Sequence, residues 1–214
     1  MYFNDRITLG KALARGLQDM HGKDAVVISL KESSLLTCLS IAMELRAWVY
    51  PLVYEPIMSQ DSLPILLGAV DEGGVFCPNP EVPTAEKAEP NIQSQLDSAT
   101  QAVKQRIDSY GMTLDKQSMN GRDVIIAGDV ITSQLPIAVA LQLLSGVKPK
   151  SLSIVIGNAT PEVTEQVRVS GDLTTVLDVL TGVVSDDSHY FEHPDTYTPE
   201  QKHMLTEHIA AYWQ

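Results

Sequence analysis

Cysteine is scarce. The chain has two, Cys38 and Cys77, in apolar surroundings and without C-x-x-C spacing. That pattern offers no redox pair and reads as two buried thiols in a reducing compartment. Positive charge is scarce too. Fifteen Lys and Arg face 27 Asp and Glu, for a formal net charge of −12. So acidic a chain repels phosphate backbones and anionic membrane surfaces, which excludes general nucleic-acid binding and membrane association. No apolar run approaches the length of a membrane span. The first twenty residues, Met1 to Met20, lack a continuous apolar segment, so no signal peptide is expected. There is no Walker loop, no G-x-G-x-x-G, no internal repeat and no low-complexity tract. These absences leave a cytoplasmic protein. Its 214 residues, 44% of them hydrophobic, suit one compact domain spanning 1–214.

What is present is organised around residues 121–136, Gly-Arg-Asp-Val-Ile-Ile-Ala-Gly-Asp-Val-Ile-Thr-Ser-Gln-Leu-Pro. A turn signal, Asn120-Gly121, precedes a short apolar run, Val124 to Ala127, that reads as a buried parallel strand bounded by Gly128 and Asp129. Leu135, Val139, Leu141, Leu143 and Leu144 then give a helix face. A strand that ends in Gly, Asp, Thr and Ser before a helix is where open α/β sheets receive ligands, because the helix N–H groups can meet an anion there. Around it, strands are expected at Ala25–Leu30, Trp48–Tyr54, Ser151–Ile156 and Thr174–Val179, and a hairpin about Asp71-Glu72-Gly73. Helices are expected from Asn4 or Asp5 to Met20, over Leu35–Arg46, Ile92–Tyr110 and Pro161–Val169, and at the C-terminus over 199–213. Pro78 to Pro90 reads as an exposed loop. The alternation predicts an α/β fold, a mostly parallel sheet flanked by helices.

An ordered series of segments resembles the type I phosphoribosyltransferases, in particular the small bacterial group of predicted phosphoribosyltransferases. It runs from Phe3-Asn-Asp-Arg6 with Gly10, Leu13 and Ala14, through Val26–Leu30 and Leu67-Gly-Ala-Val-Asp-Glu-Gly-Gly-Val75, to Gly121-Arg-Asp-Val-Ile-Ile126, Pro149, the strand to Ile156 and Pro161-Glu162. The resemblance implies a phosphoribosyltransferase-like fold and a homodimer. It also implies a small phosphorylated or nucleotide-like ligand, and Mg²⁺ on a leaving diphosphate if transfer activity is retained. Such chemistry displaces pyrophosphate from a phosphorylated ribose, and the protein mainly positions and neutralises charge.

The loops that would do this depart from the family pattern. In the phosphoribosyl loop two adjacent acids hold the ribose hydroxyls; here Gly128 stands at the first and Asp129 alone remains. The phosphate cradle that follows is Thr132-Ser133-Gln134-Leu135-Pro136, with Gln134 in place of a glycine. Pro136 removes a helix-start N–H. In the pyrophosphate loop Lys31-Glu32-Ser33-Ser34 stands for Pro-Arg-Gly-Gly. At about 4–5 Å and an effective dielectric of about 20, putting Glu32 where a guanidinium meets diphosphate reverses an interaction of about 3–4 kcal/mol. A register one residue earlier would give that position to Lys31 instead. Tyr54-Glu55 occupies the place of a basic pair. All three loops depart in one direction, against binding the usual diphosphate substrate. The reading is a member with lost or strongly altered transferase activity that binds a small ligand or a partner. The alternative is an active transferase with Asp129 on the ribose and Lys31, Thr132 and Ser133 on phosphates.

His189-Tyr-Phe-Glu-His193 matches H-x-x-E-H, a zinc-hydrolase pattern that needs both histidines on one helical face and Glu192 as base. Pro194 follows at once and favours extended geometry at His193, so an exposed aromatic loop is the plainer reading. Asp186, Asp187 and Glu192 make a cation set on paper and a solvated acidic loop more simply. His203 and His208 have no same-face helical spacing. Met204, Leu205, Ile209, Tyr212 and Trp213 give the last helix an apolar face, for its own domain or for a second subunit.

Overall fold

A computed structural model describes residues 3–22, 24–82, 92–110, 116–182 and 187–194, together with 198, 201 and 204. Of the helix expected over 199–213 only Gln201 and Met204 are among these residues; its two histidines lie outside them, and so does Asp186. The described chain forms two compact units, residues 1–52, 116–132 and 146–214 in one and 53–115 and 133–145 in the other.

The first unit is built on a five-stranded parallel sheet. Its strands are β1 (Ala25–Ser29), β2 (Trp48–Pro51), β6 (Asp123–Ile131), β7 (Ser151–Ala159) and β8 (Leu173–Val179), in the order β2-β1-β6-β7-β8. The three inner strands are apolar and buried, as strands covered on both faces must be. Helices α1 (Arg6–Ala14), α2 (Leu35–Leu45) and α5 (Pro161–Ser170) flank it. From β1 the chain steps one way along the sheet through α2, and from β7 the other way through α5. Right-handed crossovers therefore put α2 and α5 on opposite faces. Asp5 caps α1 through the Thr8 N–H, and Thr160 caps α5 ahead of Pro161. Leu9, Leu13 and Leu17 pack with Leu35, Leu39 and Ile41 over Val27, Ile125 and Ala127. The two helices touch at Gly10, where a Cβ would lie 2.5 Å from the Thr37 carbonyl oxygen and from Ser40 Cβ.

The second unit holds an antiparallel sheet, β3 (Tyr54–Met58), β4 (Leu66–Asp71) and β5 (Phe76–Pro78), with the long helix α3 (Ile92–Tyr110) and helix α4 (Leu135–Leu143). The apolar positions of α3 pack inward. Leu96 and Ala99 pack with Ile57, Leu67 and Val70, while Val103 and Ile107 pack with Val53.

Two expectations need correcting. The run Trp48–Tyr54 is two strands of two different sheets, with the break after Pro51, which ends β2. The central strand does not stop before Gly128. It continues through Gly128 and Asp129 to Ile131, because Asp129 finds buried partners that let a polar residue stay in the strand.

Candidate functional site

The parallel sheet changes direction of winding between β1 and β6. The crevice beyond the carboxyl ends of those two strands is the ligand position for such sheets. The chain after β1 supplies Lys31 to Ser34, and the end of β6 supplies Asp129 to Thr132.

Asp129 does not open into this crevice; it is fully buried. The Arg6 Nε donates to its Oδ2 at 2.6 Å. Ser34 Oγ donates to its Oδ1, and the Val130 N–H donates to the same oxygen at 2.7 Å. Burial pushes this carboxyl up. The charges of Lys31 and Arg6, with the hydrogen bonds from Ser34 and Arg6, outweigh burial and hold it below the usual carboxylate range. Arg6 is itself buried and lies 4.6 Å over the Phe191 ring. Sequence reasoning missed Arg6 in this role. The signal was there: Arg6, Leu9, Gly10 and Leu13 follow i, i+3, i+4, i+7, which puts a guanidinium on the buried face of α1.

Lys31 reaches across the same edge. Its Nζ donates to the Val130 carbonyl at 2.5 Å and pairs with Asp187 Oδ2 at 2.5 Å. Glu32 to Ser34 form a single tight helical turn. The Ser34 N–H donates to the Lys31 carbonyl and the Leu35 N–H to the Glu32 carbonyl, so these two backbone donors are used within the chain. Glu32 is exposed and Ser33 half-buried. Thr132 is half-buried just after β6.

In the second unit, Ser133 and Gln134 open α4. The Glu81 carboxylate is already seated on them: the Gln134 N–H donates to Oε1 at 2.8 Å and Ser133 Oγ to Oε2 at 3.1 Å. The Leu135 N–H goes to Ser133 Oγ at 3.3 Å. Pro136 has no N–H. A turn built on buried Asn79 presents Glu81, with the Asn79 amide donating to Leu66 O and its Oδ1 accepting from the Glu81 N–H. Glu55 pairs with Arg106.

The H-x-x-E-H residues do not share a helical face. His189 lies in a short turn, Asp187–Tyr190, and the backbone of Glu192 and His193 pairs with Phe3 and Asn4. The pattern therefore lacks the geometry a zinc hydrolase needs. Among the described residues no three His, Cys, Asp or Glu converge as a metal site. Cys38 and Cys77 are buried and free, and burial pushes the Cys38 thiol up to about 12.

No protein-family model matches the chain, and no curated protein matches its sequence. Solved structures do. TT1426 from Thermus thermophilus superposes with a TM-score of 0.78 at 21% identity, over 98% of this chain and 99% of that one. A hypothetical protein from Neisseria gonorrhoeae with bound ppGpp matches at 0.52 and 10% identity, over 97% and 98%. A purine phosphoribosyltransferase from Pyrococcus horikoshii matches at 0.44 and 11%, over 85% and 94%. The fold is that of TT1426. At these identities the likeness concerns the fold and not the activity. Among the described residues no helix is long and apolar enough to cross a membrane.

Proposed function

We propose that this phosphoribosyltransferase-like domain has given up phosphoribosyl transfer and acts as a binding protein for a small ligand or a partner. The observation that carries this reading is Asp129. The one acid left at the ribose position is fully buried and committed to Arg6, Ser34 and the Val130 N–H. Two chain carboxylates support it. Asp187 sits on Lys31, and Glu81 sits on Ser133 and Gln134, the groups named for phosphates. An incoming phosphate would have to displace a carboxylate at each. The residues also do not suit Mg²⁺ in the family's manner, since the acid at that position is turned inward and paired with a guanidinium.

A nucleotide-like ligand remains the class we favour for the crevice, supported by the fold and by the ppGpp bound to the gonococcal protein. The carboxylates just named favour a ligand with little negative charge over a polyphosphate. The two free cysteines fit a cytoplasmic home.

The test is calorimetric titration with phosphoribosyl diphosphate and Mg²⁺, and separately with ppGpp and with guanosine. No heat is expected from the diphosphate at millimolar ligand. Micromolar binding of the diphosphate would restore the transferase reading.

A further inference from the structure

The two sheets have four edge strands among the described residues: β2, β3, β5 and β8. An open edge is a row of backbone donors and acceptors ready to pair with another strand, and proline on the edge is a common defence. Three of the four edges carry that defence: Pro51 in β2, Pro56 in β3 and Pro78 in β5. β3 adds an irregularity at Ile57/Met58. β8, Leu-Thr-Thr-Val-Leu-Asp-Val, has no proline, no lysine and no break, and none of its seven residues is buried. Leu173 and Val179, at its two ends, are 40% and 44% exposed.

We propose that β8 is a pairing edge, and that its partner is β8 of a second copy, antiparallel across a twofold axis. The register follows from the strand itself. The Asp172 N–H donates to Leu152 O and the Leu180 N–H to Ala159 O, so even-numbered residues turn their N–H groups toward β7. Alternation then turns those of Thr175 and Leu177 outward. A twofold at Val176 uses the whole strand. It pairs Thr175 with Leu177 of the other copy through outward backbone groups, and Leu173 with Val179, apolar on apolar. Asp178, the one ionisable residue in β8, meets Thr174 and not its own copy. A twofold at Thr175 would instead oppose Asp172 and Asp178, two like charges. A twofold at Leu177 would leave Leu173 and Thr174 without strand partners. The two sheets would join into one of ten strands, five from each copy.

The inference goes beyond the functional reading and is tested by association alone, whatever the chain binds. Light scattering behind size exclusion should give a dimer for the wild type at tens of micromolar. Thr175→Pro removes an outward N–H, gives β8 the defence of the other edges, and should yield a monomer with unchanged circular dichroism. Val176→Cys, mildly oxidised, should form a covalent dimer, because a non-hydrogen-bonded antiparallel pair brings Cα atoms to about 4.5 Å. Met43→Cys, on exposed α2 surface, should not. A monomeric wild type overturns the proposal. So does a folded Thr175→Pro dimer, or a dimeric Val176→Cys that fails to cross-link. If Thr175→Pro does not fold, the cross-link decides.

Discussion

Replacing Asp129 by asparagine separates an inward-turned acid from a ligand-facing one. If Asp129 faced a ligand crevice, removing its charge would relieve an unpaired carboxylate and leave stability level or raised. In the structure it has the opposite duty. The side chain is fully buried and takes the Arg6 Nε at 2.6 Å, while Arg6 is held under Phe191. An asparagine in its place would keep the shape and leave a buried guanidinium without its counter-charge. Breaking one side of a buried pair costs about 3–5 kcal/mol. The short contact with Ser34 would also be lost or reversed, since an amide NH₂ cannot accept. Urea unfolding, followed by the fluorescence of Trp48 in β2 of the same unit, reads the change as a lower midpoint at constant slope. The double variant Arg6→Met with Asp129→Asn should recover much of the loss, because neither charge is then stranded. The pH dependence carries a definite sign. The folded-state carboxyl lies below its unfolded value, so the folded state binds fewer protons in acid. The pair's contribution is therefore complete above about pH 4, the unfolded carboxylate range, and is lost as pH falls through the folded value. An Asp129→Asn protein within about 1 kcal/mol of wild type at pH 7 would refute the account, since that is far below the cost of stranding a buried charge.

Other perturbations test neighbouring parts. Glu81→Ala should cost roughly 0.5–1 kcal/mol by uncapping α4, and added inorganic phosphate should raise the melting temperature of the variant more than that of the wild type; equal shifts would show that Glu81 does not hold the cradle. Gly10→Ala should lower the melting temperature by several degrees, since the new Cβ meets Ser40 and the Thr37 carbonyl at 2.5 Å and overpacking costs about 1–3 kcal/mol; an unchanged transition would mean α1 and α2 can part freely. Cys38 should resist a thiol reagent at neutral pH until urea unfolds the chain, because its thiol is buried and pushed up to about 12; rapid labelling of the folded protein at Cys38 would contradict its burial.

Much of the fold was legible because its elements obey local rules. The α1 stripe Leu9, Leu13, Leu17, the cap at Asp5, the span of α3 and Pro161 at the start of α5 each follow from residues within a turn or two. β6 was cut short for the complementary reason. Gly128 and Asp129 normally end a strand, and what keeps this one going is Arg6, 123 residues earlier. The break after Pro51 was half legible: Pro51 signals an irregularity or an edge, but nothing local says that the two halves of Trp48–Tyr54 pair with different neighbours. At the site, Glu32, Gly128 and Gln134 were plain in the sequence. The partners were not. Glu81 belongs to a proline-rich stretch that offers no periodicity, and Asp187 to a loop far along the chain.

The partners also explain how the chain satisfies groups that would suit an anion. A helix start and a lysine at the end of a strand are costly to leave unanswered when no ligand is bound. Glu81 answers the first, with one oxygen on the Gln134 N–H and the other on Ser133 Oγ. Asp187 and the Val130 carbonyl answer the second. Arg6 answers Asp129, which would otherwise be a lone carboxylate under the core helices. Each partner is intramolecular, so it is present at high effective concentration and needs no bound ligand. A chain that supplies its own counter-ions at all three positions holds its fold without ligand, and in doing so makes the binding of a polyphosphate compete with its own structure.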